Sequence, residues 1–226
     1  MYDYANATAL SGAYEQALQI VSNAKQMKYF EDAKARFCFL ESEICAELGN
    51  MDRAIEKCDE CISLETEQDF FSDARFMRIN LALAKNDFES ALQHAEQFIE
   101  KGARDSYYYA ALYFRPFCLS KLGKEEAAEK YYKEAISLYR MATLQNLEVF
   151  DAYLYRAMCL KEIRQYEEAL KLLEFIENMS NQIAEVHTIR ADVYKLTGKE
   201  GLAKEELEKA FQLKPELKAV YSEGGE

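Results

Sequence analysis

A turn residue followed five positions later by alanine recurs six times along this chain, and no other feature constrains its fold as tightly. The turn residues are Gly12, Gly49, Asn86, Gly123, Arg164 and Gly198; the alanines are Ala17, Ala54, Ala91, Ala128, Ala169 and Ala203. Successive turns lie 37, 37, 37, 41 and 34 residues apart. A period of that size marks a stack of supersecondary units, none of which can bury its apolar face alone.

Each turn separates two amphipathic runs. ARFCFLESEICAEL, DARFMRINLALA and DAYLYRAMCLKEI precede turns; DRAIEKCDECISL, FESALQHAEQFI and YEEALKLLEFIE follow them. Apolar residues recur at three- and four-residue steps in all of these, which predicts a helix on either side of every corner. Glycine ends a helix at low cost because it accepts a left-handed backbone; asparagine is the usual second choice and Arg164 a poor one. The alanine has a steric reason, since two helices approach closely only where a side chain is small. Eight Gly and two Pro in 226 residues cannot supply the corners of a many-stranded sandwich or barrel. The expected fold is therefore all-α, built of antiparallel helix pairs.

The pattern resembles the tetratricopeptide repeat family over nearly the whole chain. Residues 184–217, AEVHTIRADVYKLTGKEGLAKEELEKAFQLKPEL, carry the clearest unit, with Ala191, Tyr194, Gly198, Ala203, Ala210 and Pro215 at the family's small, aromatic, turn, small, small and proline positions. Residues 35–65 fit too, through Ser42, Gly49 and Ala54. Departures are Ile79 and Pro116 at the small place of the first helix, and Phe98 and Ile176 at the late small place of the second. The resemblance implies a right-handed superhelical solenoid forming one domain over 1–226, with repeats at 1–31, 32–68, 69–105, 106–146, 147–183 and 184–217, and a truncated cap or tail at 218–226. The first repeat is incomplete and the last cap stops early, so an excised part of a longer protein is expected.

In the resembled family the first helix of each pair lines a concave wall. Positions 13, 10, 9, 6, 3 and 2 before each turn then face a groove, which in the third to fifth repeats contains Phe76, Met77, Asn80, Tyr113, Phe114, Phe117, Leu154, Tyr155 and Met158. As a groove these residues would anchor an apolar peptide or helix through Phe and Tyr and adapt to it through Met. Tight curvature would instead bury them as core, and the residues alone do not choose. Chaperone-binding members of the family hold a terminal carboxylate with Lys, Asn and Arg. At the matching places Asn6 alone agrees, while Leu40, Asp73 and Met77 stand where an amide and cations belong, so that clamp is not expected.

Other candidates read as structure. Arg78, Arg115, Arg156 and Arg190, each eight residues before a turn, are expected to make ion pairs with the abundant acids rather than a ligand ladder. Pro116 lies deep in a first helix, removes a backbone donor and predicts a kink. Cys58 and Cys61 have metal-like spacing, but they and Cys38 and Cys45 fall on core positions, so no metal is expected. His94 and His187 lie on different repeats, and His187 takes a core aromatic position. With no nucleotide-binding or nucleophile motif, no catalytic residue and no cofactor are expected.

The formal net charge of −12 argues against nucleic acid and anionic membrane as partners. No run of about 18 apolar residues predicts a membrane span, and no signal peptide is visible. Six cysteines within apolar helical patterns suit buried thiols in a reducing compartment, hence cytoplasm. The expected role is a scaffold or adaptor for a protein or peptide partner. Two alternatives stand beside it: self-association through the terminal repeats, and a regulatory or oligomerisation region of a larger enzyme or transcription regulator.

Overall fold

The computed structural model describes residues 1–28, 30–64, 71–101, 106–146 and 149–223. The repeat junctions expected near 68, 105 and 147, and the last three residues of the tail, lie outside them. Among the described residues the chain forms thirteen α-helices, and the six corners read from the sequence separate six helix pairs. By their internal contacts the residues divide into two compact units, Met1–Ala103 and Arg104–Glu226.

The first unit holds α1 (Tyr2–Leu10) and α2 (Tyr14–Ala24), α3 (Lys34–Glu47) and α4 (Met51–Ser63), and α5 (Phe71–Ala84) and α6 (Phe88–Lys101). A short 3-10 turn, Glu31–Ala33, leads into α3. The second unit holds α7 (Ser106–Lys121) and α8 (Glu125–Gln145), α9 (Phe150–Glu162) and α10 (Tyr166–Met179), α11 (Ala184–Leu196) and α12 (Glu200–Leu213), and a final α13 (Leu217–Glu223). Within each unit every helix packs against the one before it. In the second unit α9 also touches both α7 and α11, so the first helices of successive pairs lie side by side.

All six corners close in the same way. Gly12, Gly49, Asn86, Gly123, Arg164 and Gly198 have φ between 55° and 80°, the left-handed region. The next residue's N–H reaches back to the carbonyl five residues earlier: Asn50 to Cys45 and Gln165 to Leu160 at 2.8 Å, Asp87 to Ala82 and Lys124 to Leu119 at 2.9 Å. Those bonds satisfy carbonyls that the end of a helix leaves unpaired. The repeat alanines then close the first turn of the second helix, as Ala54 does on Asn50 at 3.0 Å. All six are 0–1% exposed, which confirms their steric role. Opposite them, seven residues before each turn, sit Ala5, Ser42, Ile79, Pro116, Ala157 and Ala191, all buried. Ser42 Oγ donates to the carbonyl of Ala54 at 2.7 Å, a bond that two helices can make only where they lie close together.

Two departures from the pattern have local consequences. α7 runs without interruption from Ser106 to Lys121 with Pro116 buried inside it. The 41-residue spacing is taken up by α8, which at 21 residues is the longest helix among the described residues; its added turns bury Thr143 and expose Met141 and Leu144. No helix among the described residues is long and apolar enough to cross a membrane.

Candidate functional site

The predicted groove residues fall in both units. In the first unit Phe76, Met77 and Asn80 lie on α5, with Phe76 and Met77 half-buried and Asn80 exposed. Met77 packs against a core of Cys38, Cys45, Ala54, Cys58, Cys61, Ala74 and Leu81. Its sulfur lies 3.6 Å from the Ser42 hydroxyl.

In the second unit the six predicted residues lie on α7 and α9, and four of them, Tyr113, Phe114, Phe117 and Tyr155, come together. Tyr113 is at the centre and is only 4% exposed. Its ring lies 5.8 Å from Phe117, stacked at 26°, 5.8 Å from Phe114, edge on, and 5.9 Å from Tyr155 across the helix interface. Tyr155 continues onto Tyr139 at 6.3 Å, and Tyr113 onto Tyr132 at 6.2 Å. Ring pairs at these separations add attraction beyond the area they bury, so the group is a rigid aromatic block. Phe114, Phe117 and Tyr155, which pack on Tyr113, are half-buried, as are Leu154 and Met158 on α9. Leu154 and Met158 rest on the core of Tyr153, Ala157, Leu173, Ile176, Val186 and Ile189. Of the predicted residues in the second unit, Tyr113 is core and the other five keep some accessible surface.

The polar groups at the block's edge are paired with one another. Lys161 Nζ lies 3.1 Å from Asp192 and 3.3 Å from Glu162. Burial alone would lower the Lys161 pKa, but the two carboxylates hold it above its usual value. Lys121 Nζ sits 5.4 Å over the Phe117 ring. Burial pushes the Tyr155 phenol up to about 12 and raises Tyr113 well above its usual value, so both stay protonated. The Tyr139 hydroxyl donates to the carbonyl of Tyr109 at 2.6 Å, fixing α8 against α7.

Each arginine of the row faces a carboxylate. Arg78 Nε bonds Asp59 at 2.8 Å, Arg156 bonds Glu168 at 3.1 Å, and Arg115 lies 3.6 Å from Glu134 while its guanidinium covers the Tyr131 ring at 3.8 Å. Arg190 is the most deeply engaged. It reaches Glu177 on α10 at 2.7 Å and Glu206 on α12 at 3.0 Å, tying three helices together.

Sequence reasoning placed His187 in the core but missed what it does there. Its Nδ1 lies 2.8 Å from Glu206, which is 6% exposed and also receives Lys209 at 2.7 Å. Burial would raise the Glu206 pKa, yet His187, Lys209 and Arg190 bring it below the ordinary carboxylate value. The available signal was the histidine itself, eleven residues before its turn, where Leu112 and Tyr153 stand in the preceding repeats. Glu41 in the first unit is a second such carboxylate, 2% exposed and held low against burial by Lys25 and Arg53.

The six cysteines are free and buried. Cys58 Sγ donates to the carbonyl of Ala74 at 3.0 Å, and burial pushes Cys38 and Cys58 up to about 12, away from the thiolate a metal requires. Among the described residues no group of three or more His, Cys, Asp or Glu is placed to hold a metal ion.

Residues 35–68, 110–140 and 184–217 match the model of the tetratricopeptide repeat family. The fold is similar to that of a thermophilic repeat protein of this kind from Thermus thermophilus, at 18% identity and a TM-score of 0.67 over 84% of this chain and 97% of that one. It is similar also to one from Parabacteroides merdae, at 18% identity and 0.69 over 93% and 77%. A chain of the APC/C hetero-tetramer Cut9–Hcn1 matches at 14% identity and 0.63, over 95% of this chain and 39% of that one. No curated protein matches the sequence. At these identities the structural likeness is one of fold.

Proposed function

Because the chain is a tetratricopeptide-repeat protein, a class that generally serves protein interaction, we propose that it is a non-catalytic scaffold or adaptor holding a peptide or partner segment on an aromatic face. The observation that carries this reading lies on α7 and α9, where buried Tyr113 packs on half-buried Phe114, Phe117 and Tyr155, and half-buried Leu154 and Met158 also stand on α9. Such a surface is pre-organised, because its rings are already locked by packing and little side-chain freedom is left to lose on binding. Phe and Tyr supply anchors, and Met158 adapts to the partner's shape. On α5, Phe76 and Met77 supply a smaller apolar surface within the first unit, with the exposed amide of Asn80 beside them.

The net charge of −12 favours a partner with basic character and disfavours nucleic acid. The six buried, unbridged thiols support a reducing compartment, and we place the protein in the cytoplasm.

Affinity capture from the source cell's lysate, read by mass spectrometry, tests the proposal when the wild type is run beside Phe117→Ala and Met158→Ala. Proteins captured by the wild type and lost from both variants, with melting temperature within a few degrees of wild type, support the site. Equal capture by all three forms places the partner elsewhere.

A further inference from the structure

No further inference is drawn: the strongest candidate, the acidic cleft of about 460 Å³ between α10, α11 and α12 of the second unit (Glu167, Glu174, Glu177 and Glu206 around Leu170 and Tyr194), carries nothing because its buried charges, Arg190 and Glu206, satisfy one another and nothing in the structure points to a ligand that the carboxylates would hold.

Discussion

The two compact units use the same corners and the same small contacts but fill the space between their helices differently. Around α3, α4 and α5 one cluster is made largely of thiols and small side chains, Cys38, Cys45, Ala54, Cys58, Cys61 and Ala74, with Leu81, beside buried Leu40, Ile44 and Ile79. Around α7, α8 and α9 another is made of rings, with Tyr113, Tyr132 and Tyr139 each no more than 4% exposed. Small residues let helices close up and vanish from the surface. Tyr113, Tyr132 and Tyr139 are buried, while Phe114, Phe117 and Tyr155 beside them are left half-buried. The same repeat geometry therefore packs around thiols and small side chains in one place and around rings in the other.

The contrast is most exposed by truncation. Tyr139 is fully buried and donates a 2.6 Å hydrogen bond. Tyr139→Ala should cost about 4 kcal/mol, whereas Cys58→Ala, also fully buried, should cost about 1 kcal/mol. Urea unfolding of both variants checks this, and similar losses would show that the two cores are not built on different principles.

Next in size is the ion cluster of the second unit. Arg190→Met removes the partner of two carboxylates and should cost about 3 kcal/mol. Arg115→Met should cost under about 1 kcal/mol, because its acidic partner, Glu134, is about half exposed and lies at 3.6 Å. A thermal melt of each separates them. Equal effects would mean that burial of Glu206 does not matter.

Acid should act on both units alike. Glu41 and Glu206 have pKa values lowered on folding from the ordinary 4.5. Their contribution is therefore present above about pH 4.5 and lost as pH falls through their lowered folded values. Unfolding free energy should decline below that pH, and the decline should shrink in the double variant Glu41→Gln, Glu206→Gln. An unchanged slope would show that other carboxylates dominate.

The smallest effect concerns the corners. Asn86 and Arg164 hold φ of 55° and 61° without being glycine. Asparagine tolerates that region and arginine does not, so Arg164→Gly should stabilise by about 1 kcal/mol and Asn86→Gly by less. Denaturant midpoints measure both, and a gain at Asn86 equal to that at Arg164 would contradict the steric account.

The corners and the small contacts are legible in the sequence because they are local. A left-handed residue and the alanine five positions on depend only on the backbone between them, and all six pairs stand where the period puts them. The candidate site is legible only in part. Spacing selects Tyr113, Phe114 and Phe117 as one face of α7, and nothing in that spacing distinguishes the ring at the centre from those at the edge. Likewise the His187–Glu206–Arg190 cluster, with Glu177, joins residues 13 to 19 apart, beyond the reach of helical periodicity.

By itself the sequence determined the class of fold, the number of helix pairs and where the chain turns, since these follow from steric rules acting over a handful of residues. Only the tertiary structure decided which rings are core and which remain accessible, and which charges are buried together. Those outcomes depend on how neighbouring helices share space, and the short-range pattern of one helix carries no record of its neighbour's side chains.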